Sequence, residues 1–529
     1  MQRHRDLTRR ELIKRAGIAA VVVGSQGSVL SDRASAQQRR GELLWLAGDH
    51  HTHTQYSVDA RYTVRQHAQQ AKSRGIDWLV ITDHGRGAHE KVSIDRTYAD
   101  VVAARAAIPD LLTFQGLEWN IPGAEHGTVF LAPSAREAEL LHYFEKNFDG
   151  VVVFGSRATA NDPVLEAKAR QGIAWLASKV QDGTARGALF LANHPARRGL
   201  DSPHEIRGWN DADPSVAIGM EGAPGHQAAG VARASGGPEL ARGFYDFTPQ
   251  PDSFAGYPPE SYRTFGGFDW MTAKVGGLWD ALLAEGRRWW ITANSDSHAV
   301  FLDTWIRGFG TGSYDDPSSP FYGRYGDPID TGVPQPGNGD FWPGAYSRTV
   351  VGATARDYVA VIDAIRAGRM WVAHGGLIES LDLRVRAPRD GDGGGVTLGE
   401  DVAIERGDDV HLQLRIAPAR TANANGDMPR LRRVDVIAGP VGAPSPDRDI
   451  MTAPGTAVVR SFDVEGRNGE ITLNHVFRDV REPFYIRVRG TDGNAHAPGS
   501  IEPRLDPVPI DPWSDLWFYS NPIFVAVRR

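Results

Sequence analysis

In Leu43-Leu44-Trp45-Leu46-Ala47-Gly48-Asp49-His50-His51-Thr52-His53, an apolar run of strand length ends on two histidines at positions i and i+2. Residues two apart in a strand point to the same face, so His51 and His53 present their imidazoles side by side at its carboxyl end. The construction recurs down the chain. Run 76–84 closes on Thr82-Asp83-His84, run 111–118 on Glu118, and run 188–194 on Asn193-His194. Run 289–294 leads into Asp296-Ser297-His298, a second i, i+2 pair, and a further run spans 216–221. His126 sits at or just before the start of run 126–132. A single histidine closing a strand is an ordinary hydrogen-bonding residue; five such motifs on successive strand ends are a set of metal ligands.

Between these runs lie helix-like stretches at 63–74, 98–107, 135–148, 164–179 and 268–285, and Gly75 stands where a C-cap glycine belongs. Strands alternating with helices predict an α/β domain over residues 43–376. Seven strands with helical crossovers favour a closed barrel over a small open sheet, and in a parallel barrel all carboxyl ends gather on one face. Motifs far apart in sequence then meet in one pocket. Residues 303–347 are rich in Gly, Pro, Asp and Tyr without periodicity, and their aromatics, from Trp305 to Trp342, predict an ordered loop that packs. A further helix at 356–368 and a strand at 370–373 follow. Beyond residue 380 the runs 411–416, 433–437, 458–464, 470–476, 484–489 and 523–527 are short, β-branched or alternating, which predicts an all-β sandwich over 380–529.

The 529-residue chain is 41% hydrophobic and 23% charged, as in a globular protein of two or three domains. It has no cysteine, so disulfides and thiolate sites are excluded and any metal must be held by nitrogen and oxygen. Thr8-Arg9-Arg10-Glu11-Leu12-Ile13-Lys14, the mildly apolar residues 16–30 and Ala34-Ser35-Ala36 follow one another at the start. Together they resemble a bacterial twin-arginine export signal over residues 1–36, with Leu12 where that pattern usually has Phe. The expected location is periplasmic or extracellular, and the apolar stretch is too short for a stable membrane span. Residues 1–36 hold seven Lys/Arg against three Asp/Glu, a net of +4, which leaves −11 on the remainder of a chain of net −7. Such acidity argues against a nucleic-acid partner, and no basic amphipathic helix suggests a membrane surface.

The ordered motifs resemble those of the PHP (polymerase and histidinol phosphatase) family. The match runs from Gly48-Asp49-His50-His51-Thr52-His53-Thr54 and Tyr56-Ser57-Val58-Asp59, through Ile81-Thr82-Asp83-His84 and Gly116-Leu117-Glu118. It ends with Asn193-His194-Pro195 and Asn294-Ser295-Asp296-Ser297-His298. The resemblance implies a distorted (β/α)7 barrel with two or three divalent ions (Zn, Mn or Fe) and phosphoesterase activity on a small phosphorylated mono- or diester, using a metal-activated hydroxide. Carried over, His51, His53, Glu118 and Asp296 hold a first metal. Glu118 bridges to a second, completed by His126 and His194, and His84 and His298 hold a third together with Asp59. The family often has histidine at the last position, and an aspartate is a harder ligand that favours Mn or Fe over Zn. His50, where the family commonly has an apolar residue, reads as a non-ligand. Glu125 competes with Glu118 as the bridge but lacks the Gly-x-Glu context.

Arg86, after Thr-Asp-His, and Arg197 or Arg198, after Asn-His-Pro, lie on loops suited to a phosphate contact. Asp303, Glu221, His226 and His374 are candidates for a proton donor or for orienting a ligand. Two other functions stand beside the phosphoesterase. An amidohydrolase barrel also opens with HxH and closes with Asp, but its bridging lysine is not evident here. The other is a catalytically inert exported binding protein, whose β region would bind carbohydrate or a cell surface.

Overall fold

The opening apolar run becomes strand β1 (Leu44–Asp49), and the chain then turns into helix α1 (Val64–Ser73). Thr63 starts that helix with a capping box: its side chain accepts from the Gln66 N–H, while Gln66 Oε1 accepts from the Thr63 N–H. Gly75 (φ 73°) ends it in the left-handed conformation that a side chain disfavours. Val64, Ala68 and Ala71 form its buried stripe, packed with Leu79 and Ile81 of β2 (Trp78–Ile81). The computed structural model describes residues 43–155, 162–225, 249–390, 394–493, 506 and 511–528. The export signal and His226 lie outside the described residues.

The chain continues through α2 (Ile94–Ala107), β3 (Leu112–Asn120), β4 (His126–Leu131), α3 (Glu137–Phe148), α4 (Pro163–Gln181), β5 (Ala188–Ala192), α5 (Pro203–Ala212) and β6 (Ala217–Ala223). Next come α6 (Leu278–Ala284), β7 (Trp290–Ala293), β8 (Ser347–Ala353), α7 (Tyr358–Arg366) and β9 (Met370–His374). The C-terminal strands are β10 (Ile378–Arg386), β11 (Asp401–Glu405), β12 (Asp408–Pro418), β13 (Arg433–Pro440), β14 (Ala457–Asp463), β15 (Ile471–Val480), β16 (Phe484–Thr491), β17 (Trp517–Ser520) and β18 (Ile523–Arg528).

Among the described residues one 15-stranded sheet runs in the order β11-β18-β16-β17-β9-β8-β1-β2-β3-β4-β5-β6-β7, with β13 and β14 attached beside β16. The ends following β1 and β7 meet again: Thr52 bridges Ser297 in parallel, and the His53 N–H donates to the Ser297 carbonyl at 3.1 Å. Strands β1, β2 and β3 are parallel, as are β5, β6 and β7.

Strand β4 departs from the all-parallel expectation and pairs antiparallel with both neighbours. Residues 121–125 are too few for a crossover, which needs a dozen or more, so the chain must turn straight back. The reversal helps the site, because His126 then opens its strand opposite Asn120, at the rim where Glu118 lies.

One other expectation is corrected. Residues 268–285 are not one helix: Phe268 pairs with Phe265 in a hairpin, a single turn spans Trp270–Ala273, and Gly276 (φ 75°) and Gly277 separate it from α6. Strand β8, unforeseen, pairs with β1 from Leu44↔Ala353 to Gly48↔Thr349. Through β8 and β9 the sheet passes without interruption into β17 and the C-terminal strands. There a second sheet, β10-β12-β15, packs against it, and Leu383, Leu414 and Leu473 share one core with Val436, Val488 and Phe518. The architecture is thus mixed α/β with a large sheet and a β-rich C-terminal region. Among the described residues no helix is long and apolar enough to cross a membrane.

Candidate metal centre

Glu118, on β3, is the hub. Its Oε1 lies 3.1 Å from His51 Nε2, 3.1 Å from His126 Nδ1 and 3.2 Å from His194 Nε2. Its Oε2 lies 2.6 Å from His84 Nδ1 and 3.5 Å from His53 Nε2. Asp296 Oδ1 faces His51 and His53 at 3.3 and 3.2 Å, and His298 Nδ1 at 3.4 Å. Asp59 reaches His84 Nε2 at 3.0 Å and His298 Nε2 at 3.5 Å. All nine side chains expected from the sequence therefore converge. They form overlapping groups of potential ligands: His51, His53 and Asp296; His84, Glu118 and His126; and His53, Asp59, His84 and His298. A fourth group joins Glu125 to His126 and His194.

The donor set fits divalent cations. Ligand atoms about 2.1 Å from one ion lie about 3.0–3.4 Å apart in octahedral or tetrahedral geometry. The separations around Glu118 and Asp296 cluster there. All donors are nitrogen or oxygen, the set that suits Zn, Mn or Fe.

The electrostatics point the same way. Although burial opposes it, the carboxylates of Asp296, Glu118 and Glu221 hold His51 well above the usual imidazole range. Burial likewise opposes the rise of His84, which Asp59 and Glu118 push up to about 10. Burial drives His53 well below that range, and the neighbouring His298 and His84 act in the same direction. Glu118 stays well below the ordinary carboxylate range against the effect of burial, because His126, His51 and His84 surround it. Packed carboxylates here require positive charge, as protons on imidazole or as cations.

Outer partners fix the rings. Glu221 Oε1 lies 2.7 Å from His51 Nδ1, and its Oε2 accepts the His194 N–H at 2.6 Å, so Glu221 is an orienting residue. Ser57 Oγ lies 3.0 Å from His53 Nδ1 and donates to buried Asp83, which also accepts from the Thr54 N–H and hydroxyl. Asn193 donates to Glu118 Oε1 and accepts from the Thr128 N–H. Asn120 Oδ1 lies 3.2 Å from His126 Nε2, and His67 Nε2 lies 2.8 Å from the His53 carbonyl. His194 (φ 30°) and Asp296 (φ 46°) have left-handed backbones, which non-glycine residues adopt at a cost and which concentrate at functional sites.

His50 turns away from the cluster, with Nε2 2.8 Å from Thr292 Oγ1, and burial lowers its pKa to about 3. It is a neutral structural imidazole. Arg86 is placed differently from a free phosphate contact: its guanidinium forks onto Asp315, with Nε–Oδ1 at 2.8 Å. Arg197 is half-buried beside His194, and Arg198 Nε lies 3.7 Å from Glu125 Oε1. Asp303 accepts from the Trp305 N–H, while His374 packs between Phe268 and Tyr346. Asp340 had no signal in the sequence, yet it accepts the N–H groups of His298 and Ala299.

The centre is open on one side. Asp59 is 48% exposed and His84 and His298 are 17% and 15%, whereas Glu118 is 1% and Asp296 3%. Asp59, His84 and His298 are thus the side chains of the cluster that meet solvent.

No curated protein matches the chain. Among solved structures it is similar to a two-domain protein from Bacteroides vulgatus containing a predicted PHP-like metal-dependent phosphoesterase, with 13% identity, 86% of this chain and 95% of that chain covered, and a TM-score of 0.28. It is also similar to a protein from Bifidobacterium adolescentis described as a candidate metal-dependent phosphoesterase, with 18% identity, 33% and 76% covered, and a TM-score of 0.20. Residues 49–179, which carry six of the nine converging side chains (His51, His53, Asp59, His84, Glu118 and His126), match the model of the PHP domain, and over that stretch the chain is similar to this family.

Proposed function

We propose that the protein is a metal-dependent phosphoesterase hydrolysing a small phosphorylated mono- or diester. His51, His53, Asp59, His84, Glu118, His126, His194, Asp296 and His298 would hold two or three divalent ions. The observation that carries this reading is Glu118, one carboxylate set among five imidazoles with its two oxygens turned to different groups of them. Bound ions of this kind activate a water near neutral pH and polarise phosphoryl oxygens. The chain's own contribution is to fix the rings through Glu221, Ser57 and Asn193, and to leave the Asp59 side open to substrate. The bridge between Thr52 and Ser297 supports a distorted seven-stranded barrel spanning residues 43–376, and the core shared by the two C-terminal sheets supports a sandwich over 380–529.

The purified protein should contain at least two Mn, Fe or Zn ions and turn over one member of a panel of phosphomono- and phosphodiesters. Chelation should abolish that turnover and Mn restore it. No bound metal and no turnover after reconstitution with each ion would sink the proposal. The order of basic, apolar and small-residue segments in 1–36 supports export by the twin-arginine route. A chain with Arg9→Lys and Arg10→Lys should stay in the cytoplasm, and its normal export would point to another route.

A further inference from the structure

Residues 55–60, which present Asp59, have no regular secondary structure, so their backbone carbonyls need partners from elsewhere. The long 303–347 segment supplies them. The Tyr325 N–H donates to the Gln55 carbonyl at 2.9 Å and its hydroxyl to the Val58 carbonyl at 2.7 Å. The Tyr314 hydroxyl donates to the Tyr56 carbonyl. Arg307 donates to the carbonyls of Asp59 and Ala60, and its guanidinium lies 4.6 Å from the Tyr325 ring centroid. Both tyrosines are buried.

The same segment braces the other two ligands at the open mouth. Asp315 holds Arg86, two residues after His84, and Asp340 Oδ2 accepts the His298 N–H at 2.7 Å. His84 also has a strand anchor, following β2 and bridging Glu118 in parallel, and so do the buried ligands. Glu118 and His126 lie within β3 and β4, and His51, His53, His194 and Asp296 follow β1, β5 and β7 directly.

We infer that the 303–347 segment builds the outer cation position of Asp59, His84 and His298, which His53 also faces, with Arg307 and Tyr325 as its positioning residues, and that loosening the segment weakens this position before the buried pair. The inference rests on the metal-dependent reading above. It makes the solvent-facing ion dependent on the docking of one loop.

The test is equilibrium dialysis of the full chain against graded free Mn, with bound metal counted, for the wild type, Arg307→Gln and Tyr325→Phe. Tyr325→Phe removes one hydroxyl and keeps the ring, so it reports on positioning even where Arg307→Gln disturbs folding. The wild type should bind three ions. Both variants should keep two at wild-type affinity and bind the third about 10-fold or more weakly, the usual cost of losing an outer-shell partner. Three ions bound with unchanged affinity in both variants overturn the inference, as does a parallel loss of all three. A wild type that stops at two ions overturns it too and leaves the metal centre standing, whereas a wild type that binds none refutes the centre itself.

Discussion

Glu118→Gln should lower turnover by about 10³-fold, the upper range for removal of one preorganised electrostatic group, and cut bound metal to at most one ion. The amide keeps the shape of the carboxylate but not its chemistry. Both oxygens of Glu118 face imidazole nitrogens, at distances from 2.6 to 3.5 Å. In either orientation an amide would put an N–H where a second ion would need a lone pair, so the side chain could no longer hold two ions. The backbone has no reason to move, because β3 is fully buried and paired along its length with β2 and β4. Far-UV circular dichroism should therefore match the wild type while metal content and kcat fall. Normal turnover would mean that the bridge lies elsewhere. Glu125, 3.8 Å from His194 Nδ1 and 4.0 Å from His126 Nδ1, would then be the carboxylate to change next.

The site was more legible in the sequence than the fold that holds it. His51-Thr52-His53 and Asp296-Ser297-His298 could be read because side-chain alternation is a local property and each pair follows an apolar run, whereas Asp59 was marked only by the resemblance to the PHP motifs. The partners of those ligands were harder to see. Asp340 acts through backbone N–H groups, which impose no residue pattern on the chain around His298. The Arg86–Asp315 pair joins positions 229 residues apart, and nothing beside Arg86 announces that its fork is taken. Strand β8 mixes Ser, Arg and Thr with Val and directly follows an irregular segment, so its extended form is imposed by pairing with β1. The expected helix at 268–285 had good apolar spacing, but two adjacent glycines outweighed it. The passage of the sheet through β9 into β17 is a nonlocal pairing that no window of sequence contains.

That continuity ties the stability of the strands that carry the site to the C-terminal region, and Asp280→Ala should expose the tie. Asp280, on α6, accepts from the Tyr485 hydroxyl at 2.8 Å, from Arg487 Nε and Nη2 at 2.9 and 2.7 Å, and from the Gly276 N–H at 2.7 Å. Both charged side chains are 0% exposed, and the Arg487 guanidinium lies 4.6 Å from the Trp279 ring centroid. Removing the carboxylate alone strands a buried guanidinium, which costs about 3–5 kcal/mol. Thermal unfolding should begin about 6–20 °C lower, given the 2–4 °C per kcal/mol of larger domains. Replacing both partners by apolar residues, Asp280→Leu with Arg487→Met, should recover most of that loss, because no charge is then left unpaired. A single variant within 1 °C of the wild type would show that the guanidinium reaches water without Asp280. The consequence for the centre follows from the neighbouring contacts. Arg487 lies on β16, and Asn521, between β17 and β18, holds both the N–H and the carbonyl of Ile291 in β7 at 2.9 and 3.0 Å. Strand β7 leads directly to Asp296, so loosening α6 from β16 should weaken cation binding only as unfolding sets in, and metal content measured well below the transition should equal that of the wild type.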